Sequence, residues 1–179
     1  MVIIIVTFAV TGAYLTIVSQ LDLQMAYAVP ETLQLKLEVD PKTIKLTDIN
    51  NNARPDPGEM VGLLGKLYTP GTENEVGIHR GTFMWEAGSN STEGLTVDIG
   101  TQVFDIKGNG TIVVVGDLPG AGKAIVGKPV HGVIAGGTGS YKTITNGEAS
   151  ITHTQHGLPV VPFDVILEFE RSSNITSPI

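Results

Sequence analysis

Pro129–Thr154, PVHGVIAGGTGSYKTITNGEASITHT, decides the fold. Val130, Gly132, Ile134 and Gly136 fall on one face of an extended segment, and His131, Val133 and Ala135 on the other. Gly136-Gly137-Thr138-Gly139 then supplies positions that take φ > 0 without a side-chain penalty, as a sharp turn requires. After Asn146-Gly147, the run Glu148–Thr154 resumes an extended pattern. Strand, glycine turn, short linker, strand is the grammar of a β-sheet. No catalytic signature accompanies it.

The same two-residue period extends in both directions. Leu33, Leu35, Leu37 and Val39 alternate with Gln34, Lys36 and Glu38, which predicts a half-buried strand over 32–39. Residues 59–68 and 75–86 are the next two expected strands; in the second, Gly77, His79, Gly81, Phe83 and Trp85 share a face. Leu95–Ile106 and Thr111–Val115 flank a Gly108-Asn109-Gly110 hairpin turn. Val161, Phe163, Val165, Leu167 and Phe169 mark the last strand. Eight or nine strands at regular spacing, in a chain with 22 glycines and 10 prolines, predict an all-β domain. The architecture expected is an antiparallel eight-stranded barrel, with a jelly-roll-like β-sandwich as the alternative.

The 179 residues fit one domain with a real core. A formal net charge of −7 argues against nucleic acid as a partner. Cysteine is absent, which removes disulfides and thiolate chemistry. Met1–Leu21 carries no charged side chain, and Ala26-Tyr27-Ala28 offers a small-x-small cleavage pattern ahead of Val29-Pro30. A basic n-region is missing. Residues 1–28 are therefore expected to be a signal peptide or membrane anchor, 29–171 the barrel domain, and 172–179 a frayed tail. That predicts an extracellular or cell-surface protein touching the membrane only through its N-terminal segment. Sequons at Asn90, Asn109 and Asn174 are compatible with export.

Three blocks carry a resemblance. Gly58-Glu59-Met60-Val61 through Lys66-Leu67-Tyr68 is similar to the block of plant allene oxide cyclases that opens with Gly-Asp and closes with Asn-Lys-Leu-Tyr. Val76-Gly77-Ile78 with Gly81 resembles the strand after it. Gly110-Thr111-Ile112 through Asp117, then Ile134–Tyr141, resembles the hairpin and glycine turn of cyclases and dirigent proteins. The resemblance to this superfamily implies a small eight-stranded barrel, a trimer, and an apolar interior that folds or steers a ligand. It implies isomerase-like activity with no catalytic cofactor. Gly65 and Phe83 stand where the cyclase pattern has asparagine and cysteine, which argues against the same cyclisation. Tyr68, Phe83 and Trp85 are the candidate ligand-binding residues, and ordinary barrel core is the competing reading of the same aromatics.

A second constellation lies at 48–59. Asp48, Asn50, Asn52, Asp56 and Glu59 stand at positions 1, 3, 5, 9 and 12 of a twelve-residue loop, with the Arg54 carbonyl at position 7. A hard cation needs six to eight converging oxygens, and this is the spacing of a calcium loop. Ala53 replaces the usual bend glycine, and the same residue types also serve plain turns. Ca2+ is thus the ion this loop would take. Gly120-Ala121-Gly122-Lys123 lacks the upstream glycine and the Mg-binding hydroxyl of a phosphate loop. No G-x-S-x-G elbow is present, so a hydrolase has no support.

Two functions follow as expectations. One is an exported barrel that binds a small apolar or aromatic ligand and steers its isomerisation or coupling. The other is a calcium-binding extracellular structural subunit, without catalysis, that self-associates into a trimer or larger assembly. Val113 and Val115 on one face, with Ile112 and Val114 on the other, suit both.

Overall fold

The computed structural model describes residues 28–51, 56–87, 95–116, 126–155 and 159–172, the side chains of 85–87 and 95–99 excepted. Residues 1–27 and 173–179, which hold all of the expected leader but Ala28 and most of the tail, lie outside the described residues. The strands are β1 (Ala28–Val39), β2 (Lys45–Leu46), β3 (Met60–Tyr68), β4 (Glu75–Ala87), β5 (Leu95–Ile106), β6 (Gly110–Gly116), β7 (Pro129–Gly137), β8 (Ile144–His153) and β9 (Val161–Ser172). The sheet runs β1-β9-β8-β7-β6-β5-β4-β3-β2, and a further pairing of β1 with β3 closes it. Every pairing is antiparallel. Eight strands form the barrel and two-residue β2 is an extra strand on the edge of β3, so the sandwich alternative does not form. Among the described residues, no helix is long and apolar enough to cross a membrane.

Alternation places the core. Leu35, Leu37 and Val39 of β1 point inward, as do Val61, Leu63 and Leu67 of β3 and Phe163, Val165, Leu167 and Phe169 of β9. Ile112 and Val114 are fully buried, while Val113 and Val115 face out. Each fully buried Leu, Ile or Phe contributes on the order of 2 kcal/mol against the unfolded chain. β1 starts at Ala28, earlier than its apolar alternation, because the backbone ladder with β9 runs on to Ala28–Ser172. No inward side chain is needed to hold that part of the strand.

The closure seam is short. Only Lys36–Tyr68 through Val39–Gly65 pair across it. Beyond it, Thr43 Oγ1 donates to the Leu64 carbonyl at 2.8 Å and accepts from Leu64 N at 3.2 Å, standing in for a ladder partner.

The two ends differ. Tight connections lie at one end: the turn after β3, the Lys107–Asn109 turn and the 138–143 segment. Gly139 there takes φ 59°, and a Cβ at this position would collide with the Asn109 carbonyl. Buried Tyr141 meets Phe169 edge-on at 6.0 Å. The Arg171 guanidinium lies over both rings, at 5.2 and 5.5 Å, and donates to the Ser140 carbonyl and to Glu31, each at 2.7 Å. This base is closed by aromatic packing and a charge-assisted bond. At the other end, here called the mouth, β1, β4, β6 and β8 finish and β3, β5, β7 and β9 begin.

Candidate ligand site in the barrel interior

Glu59, His79, Gln102 and His153 are the buried polar residues among those described. His79 and Gln102 make the site. Alternation along β4 and β5 turns both inward, and the register sets Gln102 against Gly81 and His79 against Phe104. Both side chains are fully enclosed. His79 Nε2 and Gln102 Oε1 are 3.0 Å apart. With the amide oxygen facing it, His79 Nε2 carries the proton and donates, leaving Nδ1 as an acceptor; a flipped amide exchanges the roles and again leaves one donor and one acceptor open. That Nδ1 and the amide Nε2 of Gln102 have no hydrogen-bond partner among the described residues. Burial drives the imidazole down from an ordinary 6.5 to about 4, with the Gln102 bond working weakly the other way. The pair is therefore uncharged at neutral pH. Phe104 flanks it, its ring centroid 4.9 Å from that of His79.

Phe83 covers the wall beside the pair, toward the mouth. A Cβ added at Gly81 would lie 2.5 Å from Phe83 Cε2 and 3.2 Å from His79 Cε1, and one added at Gly100 would meet the same phenyl ring. The ring therefore lies where glycine backbone leaves room. The register continues this level as Phe83, Gly100, Gly116, Gly132 and Ala149 on five successive strands. Nearer the mouth, buried His153 stacks on Phe163, with centroids 5.2 Å apart.

The structure separates the aromatics singled out in the sequence. Phe83 is inside and 1% exposed. Tyr68 is half-buried on the outer face, paired with Lys36. It lines a cleft of about 370 Å3 with Glu38, Leu64, Gly65, Lys66, Ile78 and His79. The side chain of Trp85 lies outside the described residues. Gln102 was not singled out, although the Gly100, Gln102, Phe104, Ile106 alternation carries its signal: a polar residue in the inward phase.

Of the 48–59 loop, Asn52 and Arg54 lie outside the described residues. Glu59 is 1% exposed, and its two carboxylate oxygens accept the amides of Ile49 (2.8 Å) and Asp56 (3.0 Å). Asn50 Nδ2 donates to Asp56 Oδ2 at 2.6 Å. The carboxylate thus clamps the loop from within. Among the described residues, no group of three or more His, Asp or Glu is placed to hold a metal ion.

No family model and no curated protein matches the chain. Solved structures do. A heme-binding cyclase that catalyses a [4 + 2] cycloaddition in neoabyssomicin biosynthesis is 19% identical, with a TM-score of 0.59 over 97% of this chain and 83% of that one. A pterocarpan synthase dirigent protein is 15% identical, with a TM-score of 0.58 over 82% and 90%. A pyocyanin demethylase is 19% identical, with a TM-score of 0.54 over 76% and 99%. At these identities the likeness concerns the fold alone. Closed strand order and similar structures agree: the chain has the dirigent/cyclase-like antiparallel barrel fold.

Proposed function

We propose that this chain binds a small apolar or aromatic molecule inside the barrel and steers its isomerisation or coupling by confinement, without a catalytic cofactor. The observation that carries the reading is the interior itself: a mostly apolar set of buried side chains that includes the uncharged His79–Gln102 pair, with His153 nearer the mouth. Such a lining restricts a reactive ligand to few conformations and excludes water, while the pair orients it. The names of the similar structures, a cyclase, a dirigent protein and a demethylase, support a ligand-handling use of this fold. The test is thermal unfolding with a panel of unsaturated fatty acids and phenols. A ligand at about 100 times its Kd adds about 2.7 kcal/mol. In a domain of this size that raises Tm by roughly 5–11 °C. No rise with any member of the panel overturns the proposal.

An outer strip supports the self-association part of a second reading, in which the chain is an exported, calcium-binding assembly subunit. Val103 pairs with Val113, and Val115 with Val133, on adjoining outward positions of β5, β6 and β7. Val133 is 63% exposed. Burying this strip between copies would stabilise an oligomer. Sedimentation in calcium and in chelator checks it: a monomer in both removes this reading.

A further inference from the structure

We infer that the His79–Gln102 pair is the recognition element of the interior and selects an uncharged ligand bearing both a hydrogen-bond donor and an acceptor. This rests on the interior-ligand reading above and adds the chemistry of what is bound.

The pair keeps two valences open, the His79 Nδ1 lone pair and the Gln102 amide hydrogens. Neither is exposed. A buried polar group without a partner is destabilising, and a pair of apolar side chains of similar shape would carry no such cost. A ligand hydroxyl or N–H donating to Nδ1, and a ligand oxygen accepting from the amide, recover it. The two groups also set what is refused. A carboxylate or ammonium group brought beside them would lose its hydration and meet no opposite charge, because Gln102, Phe104, Gly65 and Gly81 face His79. An analogue with the same rings and no polar atom leaves both valences open. A site built to hydrogen-bond a ligand discriminates strongly against one that lacks the group. Phe83 lies between this pair and the mouth, over the Gly81–Gly100 wall, so the ligand's apolar body takes up that wall as the phenyl ring turns aside.

Three ring-matched probes test the inference: naphthalene, 2-naphthol and 2-naphthoate. Their Kd values are measured by fluorescence at pH 7.5, on the intact chain and on the His79→Leu and Gln102→Met variants. Gln102→Met keeps the length of the side chain and removes its donors, so it reports even if His79→Leu fails to fold. The expected result is 2-naphthol at least tenfold tighter than naphthalene, 2-naphthoate weaker than 2-naphthol, and the naphthol preference lost in the variants. Naphthalene affinity should hold within about threefold. Equal binding of naphthol and naphthalene, or a preference surviving in Gln102→Met, overturns the recognition role and leaves interior binding standing. Absence of binding by all three probes overturns both.

Discussion

Lowering the pH should destabilise this barrel through one buried imidazole. His79 titrates near 6.5 in the unfolded chain and only at about 4 in the folded one, because burial excludes the charged form. Between those values the unfolded state holds a proton that the folded state lacks, so stability falls as pH falls. Above 6.5 neither state binds it and the contribution vanishes; below about 4 both do and the loss is complete. A window of about 2.5 units (6.5 to 4), at about 1.4 kcal/mol per unit, makes the full loss about 3 kcal/mol. The comparison is wild type against His79→Gln, which keeps a polar side chain and removes the titration. Urea unfolding at half-unit steps from pH 7.5 to 4 gives the difference, in which the carboxylates common to both proteins cancel. Wild type should lose about 3 kcal/mol relative to the variant, or roughly 6–12 °C in Tm. Parallel curves for the two proteins would refute the neutral, enclosed imidazole.

Phe83→Ala should cost about 3–5 kcal/mol in urea unfolding by emptying the space over Gly81 and Gly100. The same variant should bind naphthalene more tightly than wild type, as calorimetry would show. Glu59→Ala should cost about 2–4 kcal/mol, because the Ile49 and Asp56 amides lose a shared carboxylate, and limited proteolysis should then cut within 48–59. Gly77→Ala should cost about 3 kcal/mol in urea unfolding, since the new Cβ collides with the Asp105 carbonyl across the β4–β5 ladder, where backbone cannot yield cheaply.

Strands whose inward face is continuously apolar were plain in the sequence. Leu35, Leu37 and Val39 needed only a period of two, and Ile112 and Val114 separated from Val113 and Val115 by the same rule. Closure was less legible, because the β1–β3 seam is four residue pairs held through the backbone, and no side-chain pattern encodes it. The site was half visible. Phe83 and His79 shared a face in the sequence and share the interior. Tyr68 stands one position out of phase with Leu67, so its own strand turns it outward, away from Phe83. Gln102 was hidden by its type: a lone amide in a strand resembles a solvent-facing residue until Gly100, Phe104 and Ile106 are counted with it. The Glu59 clamp used residues read as cation ligands, since a carboxylate serves backbone amides or an ion with the same oxygens.

The Ala28–Ser172 pairing brings both ends of the domain together beside the plug formed by Tyr141, Phe169 and Arg171. The chain therefore enters the barrel at Ala28 and quits it at Ser172 on the same, sealed side. A domain trimmed to 28–172 and tethered to a sensor chip at either end should therefore turn its far end toward the flowing solution, and the rate of small-molecule capture should not depend on which end holds it.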